Sequence, residues 1–254
     1  MDVQKILKEH SIQPRKEWDQ YFLQDEKILR EEIKAAQLKT ADIVLEVGAG
    51  VGNLTEFIAE KCKVIAIEKD YSFRTMLRNV NNTNVLFGDA LEVLESLRKV
   101  RDAKAAKGEN YHGEFNKIIS NIPYALSQDL ILEFLRHPWA TAVLIVQKEF
   151  AEKLKGKDKL GVLMKECADV KMLRQVPAGA FYPAAVPSAM VLLKQKKQMD
   201  DNFWRFLAEL YRDRNRDVKN VVKDYPIKIA RKKIHQLTQA EVRKLYELNK
   251  DRLD

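Results

Sequence analysis

Between residues 43 and 146 the apolar positions form short unbroken runs, and each run is followed by a stretch with apolar residues three to four apart. Residues 43–47, Ile-Val-Leu-Glu-Val, read as a buried strand, and Leu54, Phe57 and Ile58 give the segment from Asn53 to Lys61 the spacing of a helix. Residues 64–67 form a second strand closed by Glu68, with a helix from Tyr71 to Val80. Residues 85–87 form a third, ending at Gly88-Asp89-Ala90. A fourth runs from Lys117 into Asn121, and after a helix around Gln128 to Leu135 a fifth spans 142–146. This alternation predicts an α/β fold with a doubly wound parallel sheet. Ligands of such sheets bind beyond the carboxyl ends of the strands, where segments 46–52, 68, 89 and 121–124 all fall.

Two further strands are expected near 169–173 and 189–194, separated by a proline-marked loop from Phe181 to Ser188. From about Asp200 only helical spacing remains, at Phe203, Phe206, Leu207 and Leu210. The last helix is expected to begin at Thr238, with Glu241 completing a capping box. These patterns divide the chain into a sheet-bearing domain, 1–197, and a small all-α domain, 198–254. In the second, Arg212, Arg216, Lys219 and Lys223 recur at helical spacing, and the pattern predicts a helix with these four on one face and Val218, Val221 and Val222 on the other.

Composition narrows the reading. The 254 residues are 46% hydrophobic, enough for a full α/β core and a small appended domain. The net charge of +8 suits a polyanionic partner, and residues 201–254 carry 14 Lys+Arg against 9 Asp+Glu. The Lys/Arg/Ala-rich stretch from Arg98 to Gly108 reads as a solvated helical extension. Cys62 and Cys167 stand alone, and His10, His112, His137 and His235 are scattered, so no metal site is expected. The absence of any long apolar run predicts a soluble, cytoplasmic protein without a membrane segment, and a monomer is expected.

The chemistry lies in two motifs. In Glu46-Val47-Gly48-Ala49-Gly50-Val51-Gly52 the glycines allow a sharp strand-to-helix turn and a close backbone approach to a ligand. A nicotinamide dehydrogenase uses a similar turn with an acidic residue such as Glu68 on a ribose. Here the third glycine comes one residue early and Glu46 opens the turn, which fits a cofactor with an amino-acid tail, S-adenosylmethionine; Asp89 and Ala90 are placed to meet its adenine. The second motif is Asn121-Ile122-Pro123-Tyr124. The exocyclic nitrogen of adenine is a poor nucleophile because its lone pair is delocalised, so it needs acceptors for its two N–H bonds. The Asn121 side-chain oxygen and the Ile122 carbonyl, fixed by the ring of Pro123, can serve, with Tyr124 stacking on the base. The base must leave its stack to reach them.

Together with Asp19 to Asp25, Leu45 to Leu54, Glu68-Lys69-Asp70, Gly88-Asp89-Ala90, Gln147 to Ala151, and Phe181-Tyr182-Pro183 with Ser188, these motifs make the chain similar to the small-subunit rRNA adenine dimethyltransferases, the archaeal members above all. The resemblance implies a seven-stranded Rossmann-like S-adenosylmethionine-dependent methyltransferase sheet with a helical C-terminal domain. It also implies small-subunit rRNA, or a precursor of the small ribosomal subunit, as partner, and dimethylation of two adjacent adenosines in the last hairpin loop. Matched motif to motif, Tyr21, Leu23, Gly48, Glu68, Asp89 and Asn121 would contact the cofactor, and Phe181 would stack on the target base opposite Tyr124. The chain departs from the family pattern at Asp19-Gln20-Tyr21, where Gly-Gln followed by Asn, His or Cys is usual, and at Ala184-Ala185 and Leu160-Gly161-Val162-Leu163. Ile122, where leucine is usual, and the short C-terminal domain also resemble the erythromycin-resistance enzymes that act on large-subunit rRNA. That target, and a ribosome-assembly or transcription factor that keeps the fold and binds RNA without needing methylation, are the competing readings.

Overall fold

The structure, a computed structural model, describes residues 2–109 and 115–252; His112 lies outside them. Its strands are β1 (Phe22–Leu23), β2 (Ile43–Val47), β3 (Lys63–Glu68), β4 (Thr83–Phe87), β5 (Lys117–Asn121), β6 (Thr141–Gln147), β7 (Ala168–Val176), β8 (Phe181–Tyr182) and β9 (Ser188–Gln195). The α-helices are α1 (Val3–Glu9), α2 (Glu26–Ala36), α3 (Asn53–Ala59), α4 (Arg74–Leu77), α5 (Ala90–Ala106), α6 (Ser127–Leu135), α7 (Lys148–Leu154), α8 (Lys159–Cys167), α9 (Asp201–Leu210) and α10 (Gln239–Asn249).

Seven strands form one sheet in the order β4-β3-β2-β5-β6-β9-β7. Pairing is parallel from β4 through β6, and β9 runs antiparallel to β6, with Gln147 opposite Ser188. Helices cover both faces of such a sheet, so the central strands are continuously apolar; Val44, Leu45 and Ile118 are fully buried. The parallel strands all end on one edge, and the reversal of β9 starts it at that edge too. Val47, Glu68, Phe87, Asn121 and Ser188 therefore lie at one end of the sheet, although the chain reaches them over some 140 residues. The same edge holds a two-stranded pairing with no local sequence signal: β1 lies antiparallel to β8, with Leu23 opposite Phe181.

The seven-stranded sheet agrees with the expected fold, and Thr238 does cap α10 with Glu241 in a reciprocal box. The chain divides into two compact units, and the cut is not the single one read from the sequence. One unit comprises 1–151 and 171–195, the other 152–170 and 196–254. The segment 152–170 contains α8, whose Val162 carbonyl accepts a hydrogen bond from Gln239 Nε2 at 3.1 Å in α10. In that unit α9 buries Phe203, Phe206, Leu207 and Leu210, and the Tyr246 ring meets Phe203 edge-on at 5.1 Å.

The expected helix over Arg212 to Lys223 is not formed. Helix α9 stops at Leu210, turns follow, and Val218–Asn220 is a lone 3-10 turn. Local polar groups compete with helical hydrogen bonds in this Arg-Asp-Arg-Asn-Arg-Asp stretch: Asp213 Oδ1 accepts the Asn215 N–H at 3.1 Å. Asp217 then pairs with Lys233 as an antiparallel bridge. Val218 is buried as expected, but Arg212, Arg216, Lys219 and Lys223 share no helical face.

Candidate active site

The glycine turn takes the shape its sequence demands. Gly48 and Gly50 have φ of +75° and +53°, in the left-handed region that favours glycine. At Gly50 a side chain is excluded sterically as well, because a Cβ would lie 2.7 Å from the Phe22 ring. A Cβ on Gly48 would lie 3.8 Å from Pro123, so the glycine turn and the Asn121 loop are in near contact.

Glu68 stabilises the turn from the end of β3. Its Oε2 accepts the Gly50 N–H at 2.8 Å and its Oε1 accepts the Asp70 N–H at 2.7 Å. Burial pushes the carboxyl above its usual pKa, opposed by these backbone bonds. Each carboxylate oxygen can accept a further bond, and Glu68 lines a cleft of about 220 Å³. Tyr21, Gly48, Gly50, Asp89, Ala90 and Asn121 line the same cleft. Asp89 caps α5 through the Leu91 N–H at 3.0 Å and pairs with Lys69 at 3.1 Å. Partial burial raises its pKa, but these contacts outweigh it and hold the carboxyl below the usual range.

Two residues singled out in the sequence have side chains that do not line the cleft. Leu23 is buried in the core and does not line the cleft, because β1 turns its side chain inward against the fold while its carbonyl accepts Asn53 Nδ2. Glu46 does not face a ligand either. It is buried away from the cleft lining, and burial pushes its carboxyl up to about 8. Beside it Glu32, on the buried face of α2, is also held well above the normal range, by burial first and by Glu46 second. The Asn121 amide favours the ionised form of Glu32 without closing a well-formed hydrogen bond. The signal for Glu32 was present in the sequence, since it falls on the stripe made by Ile28, Leu29 and Ala36.

The second motif forms a separate hollow of about 10 Å³, lined by Tyr21, Asn121, Ile122, Tyr124 and Phe181 with Asp19 and Ile145. Asn121 ends β5, and its Oδ1 is buried without a hydrogen-bond partner. A buried acceptor of this kind costs stability unless something fills it. Tyr124 stacks on Tyr21, with centroids 5.9 Å apart and planes at 25°. Its hydroxyl lies 2.9 Å from Ser188 Oγ, and Ser188 Oγ donates to the Val186 carbonyl at 3.0 Å. The serine proton is thereby committed, so Tyr124 is the donor of the pair. The pairing of β1 with β8 brings Phe181 to this hollow.

Sequence reasoning gave no role to three residues that complete the site. Gln20 donates to Asp70 at 2.8 Å and accepts the Arg15 N–H at 2.8 Å, joining the cofactor side to the N-terminal segment. Ser188 orients Tyr124, and Asp19 accepts the Ala125 N–H at 2.7 Å. Among the described residues no group of three His, Cys, Asp or Glu could hold a metal ion, and no helix is long and apolar enough to cross a membrane.

Comparison with known proteins gives a consistent result. A family model described as ribosomal RNA adenine dimethylase matches residues 12–252. A probable ribosomal RNA small subunit methyltransferase A of Methanosarcina mazei is 33% identical over 237 residues, covering 87% of this chain and 81% of the relative. Its namesake in Methanosarcina barkeri is 34% identical over 237 residues, covering 87% and 76%. Among solved structures, a dimethyladenosine transferase from Plasmodium falciparum superposes with a TM-score of 0.72 at 24% identity, covering 91% of this chain and 98% of the other. The 23S rRNA methyltransferase ErmE gives 0.65 at 21%, covering 90% and 99%.

Proposed function

The chain belongs to the ribosomal RNA adenine dimethylase family, and on that premise we propose that it uses S-adenosylmethionine to dimethylate N6 of two adjacent adenosines in the 3′-terminal hairpin loop of small-subunit rRNA. The observation that supports this best is the buried, unpartnered Asn121 Oδ1, on a residue that lines both the hollow with Tyr124 and the cleft with Glu68. An adenine amino group supplies the hydrogen-bond donor that Asn121 lacks, and an aromatic base suits the rings around it.

The residues of the cleft fit S-adenosylmethionine. Glu68 retains acceptor capacity for ribose hydroxyls, and the side-chain-free backbone of Gly48 and Gly50 lines the cleft. Asp89 and Ala90 line the same cleft for the adenine end. When bound, the cofactor supplies an electrophilic methyl group on a sulfonium. The protein's task is to hold N6 in line with it. Asn121 Oδ1 and the Ile122 carbonyl accept the two N–H bonds, which biases the nitrogen towards tetrahedral geometry, and Pro123 limits the motion of that carbonyl. Tyr124 and Phe181 hold the two faces of the base. No strong general base is needed, because the amino group becomes acidic as it is methylated.

The 45 Lys+Arg against 37 Asp+Glu give the chain a charge suited to rRNA phosphates, with the C-terminal unit as a contact surface. We place the protein in the cytoplasm as a monomer acting on a precursor of the small subunit. The test is to incubate it and methyl-labelled S-adenosylmethionine with each unmethylated ribosomal subunit and map the label. Two neighbouring dimethyladenosines near the 3′ end of the small-subunit rRNA are expected. Label confined to large-subunit rRNA would replace this reading with the resistance-type target, and no label on either would leave the assembly-factor reading.

A further inference from the structure

Asp19 stands in the left-handed region at φ +51°, a conformation that glycine adopts freely and that Asp and Asn tolerate best among the others. It caps the 3-10 turn Lys16–Trp18, and its own carbonyl accepts the Tyr21 N–H at 2.9 Å. Its carboxyl crosses to a distant part of the chain, where Oδ2 accepts the Ala125 N–H at 2.7 Å. Ala125 directly follows Tyr124, the residue on which Tyr21 stacks. Asp19 also lines both the large cleft and the small hollow. The segment that walls the cofactor side is thus tied to the loop that walls the base side by one carboxyl group and one ring stack.

We propose that Asp19 is a positioning residue for methyl transfer: by holding the Ala125 N–H it fixes the Asn121-to-Tyr124 loop against the Tyr21 segment and so sets where the target adenine sits relative to the cofactor. This rests on the function proposed above. The bland alternative is that Asp19 is a turn residue whose side chain happens to find a nearby donor. The left-handed backbone separates the two. If only the turn matters, glycine is the better residue there. If the carboxyl oxygen matters, glycine relieves the backbone and still loses function, whereas asparagine, which tolerates the same φ and keeps an acceptor oxygen, restores it.

Asp19→Gly and Asp19→Asn should therefore be compared in the full chain by three readouts. Amide hydrogen exchange at Ala125, measured without RNA or cofactor, should accelerate about tenfold in Asp19→Gly and little in Asp19→Asn. For methyl transfer to unmethylated small subunits, kcat should fall about tenfold or more in Asp19→Gly, the scale of one lost charge-assisted bond, while the KM for S-adenosylmethionine moves less than about threefold. Asp19→Asn should recover most of that kcat. The melting temperature of Asp19→Gly should change little, because relief of the left-handed backbone offsets the lost bond and the added chain entropy. Unchanged exchange at Ala125, wild-type kcat in Asp19→Gly, or an Asp19→Asn variant as impaired as Asp19→Gly would each overturn the proposal. Absence of methyl transfer by the wild-type protein would instead count against the function, and the exchange experiment would still decide whether Asp19 holds the loop.

Discussion

The cleft at Gly48, Gly50, Glu68 and Asp89 offers about 220 Å³, whereas the hollow at Asn121, Tyr124 and Phe181 offers about 10 Å³, room for roughly one water. The difference follows from what each is made of. The cleft has a backbone framework of strand ends, left-handed glycines and a carboxylate fixed by two N–H groups, walled by side chains that include Trp18, Tyr21 and Phe73. Such a site stands ready before its ligand arrives. The hollow is shaped by side chains, and the Tyr21 ring lies on Tyr124 where a base would stack. On the proposed function, a flipped adenine would have to displace that ring contact, so the half assigned to the cofactor would be preformed and the half assigned to the base would have to open.

The comparison can be broken in three places. The largest effect is expected at the base half: Asn121→Ala should slow methyl transfer by roughly 3 kcal/mol of barrier, about a hundredfold or more, the cost of removing one preorganised polar group. RNA affinity, measured by filter binding, should change little; activity within about threefold of wild type would remove Asn121 from the mechanism. At the cofactor half, Glu68→Ala should weaken S-adenosylmethionine by roughly 1.5–3 kcal/mol in calorimetric titration without RNA, the loss of a charge-assisted acceptor. An equal loss seen only when RNA is present would mean that the cleft is not preformed.

The smallest effect lies beneath the site. Glu46 has a folded pKa of about 8 against an ordinary value of 4.5. The native state therefore keeps a proton that the unfolded chain has released, and this contribution to stability, complete below the ordinary value, drains away as pH rises towards 8. Glu46→Gln removes that drain. In urea unfolding it should gain on the wild type by roughly 2 kcal/mol between pH 5.5 and pH 7.5. A difference independent of pH would show that Glu46 titrates normally.

Much of the site was legible in the chain. Glycines in sequence announce a left-handed turn, Asn-Ile-Pro-Tyr announces acceptors held by a rigid ring, and their place after apolar runs puts them at strand ends. Glu46 misled because its position in the motif is visible while the direction of its side chain is not. Helices cover both faces of the sheet, so either direction buries a residue of β2, and Glu46 is as buried as Leu45 and Val47 beside it. The basic tail misled for a related reason. Spacing of three to four is necessary for a helical face but not sufficient, and Asp213 and Asp217 drew the backbone into turns and a bridge.

The sequence by itself determined the alternation of strands and helices between residues 43 and 146, the turn at Gly48 to Gly52, the cap at Thr238 and the residue types at the strand ends, because each depends on neighbours within a few positions. Tertiary structure alone decided that β1 pairs with β8, that Asp19 reaches Ala125, that Ser188 meets Tyr124, and that Glu32 and Glu46 lie buried together. Each of these joins groups far apart along the chain, and a contact of that kind carries no local periodicity. Its free energy exists only once the sheet has brought the partners into reach.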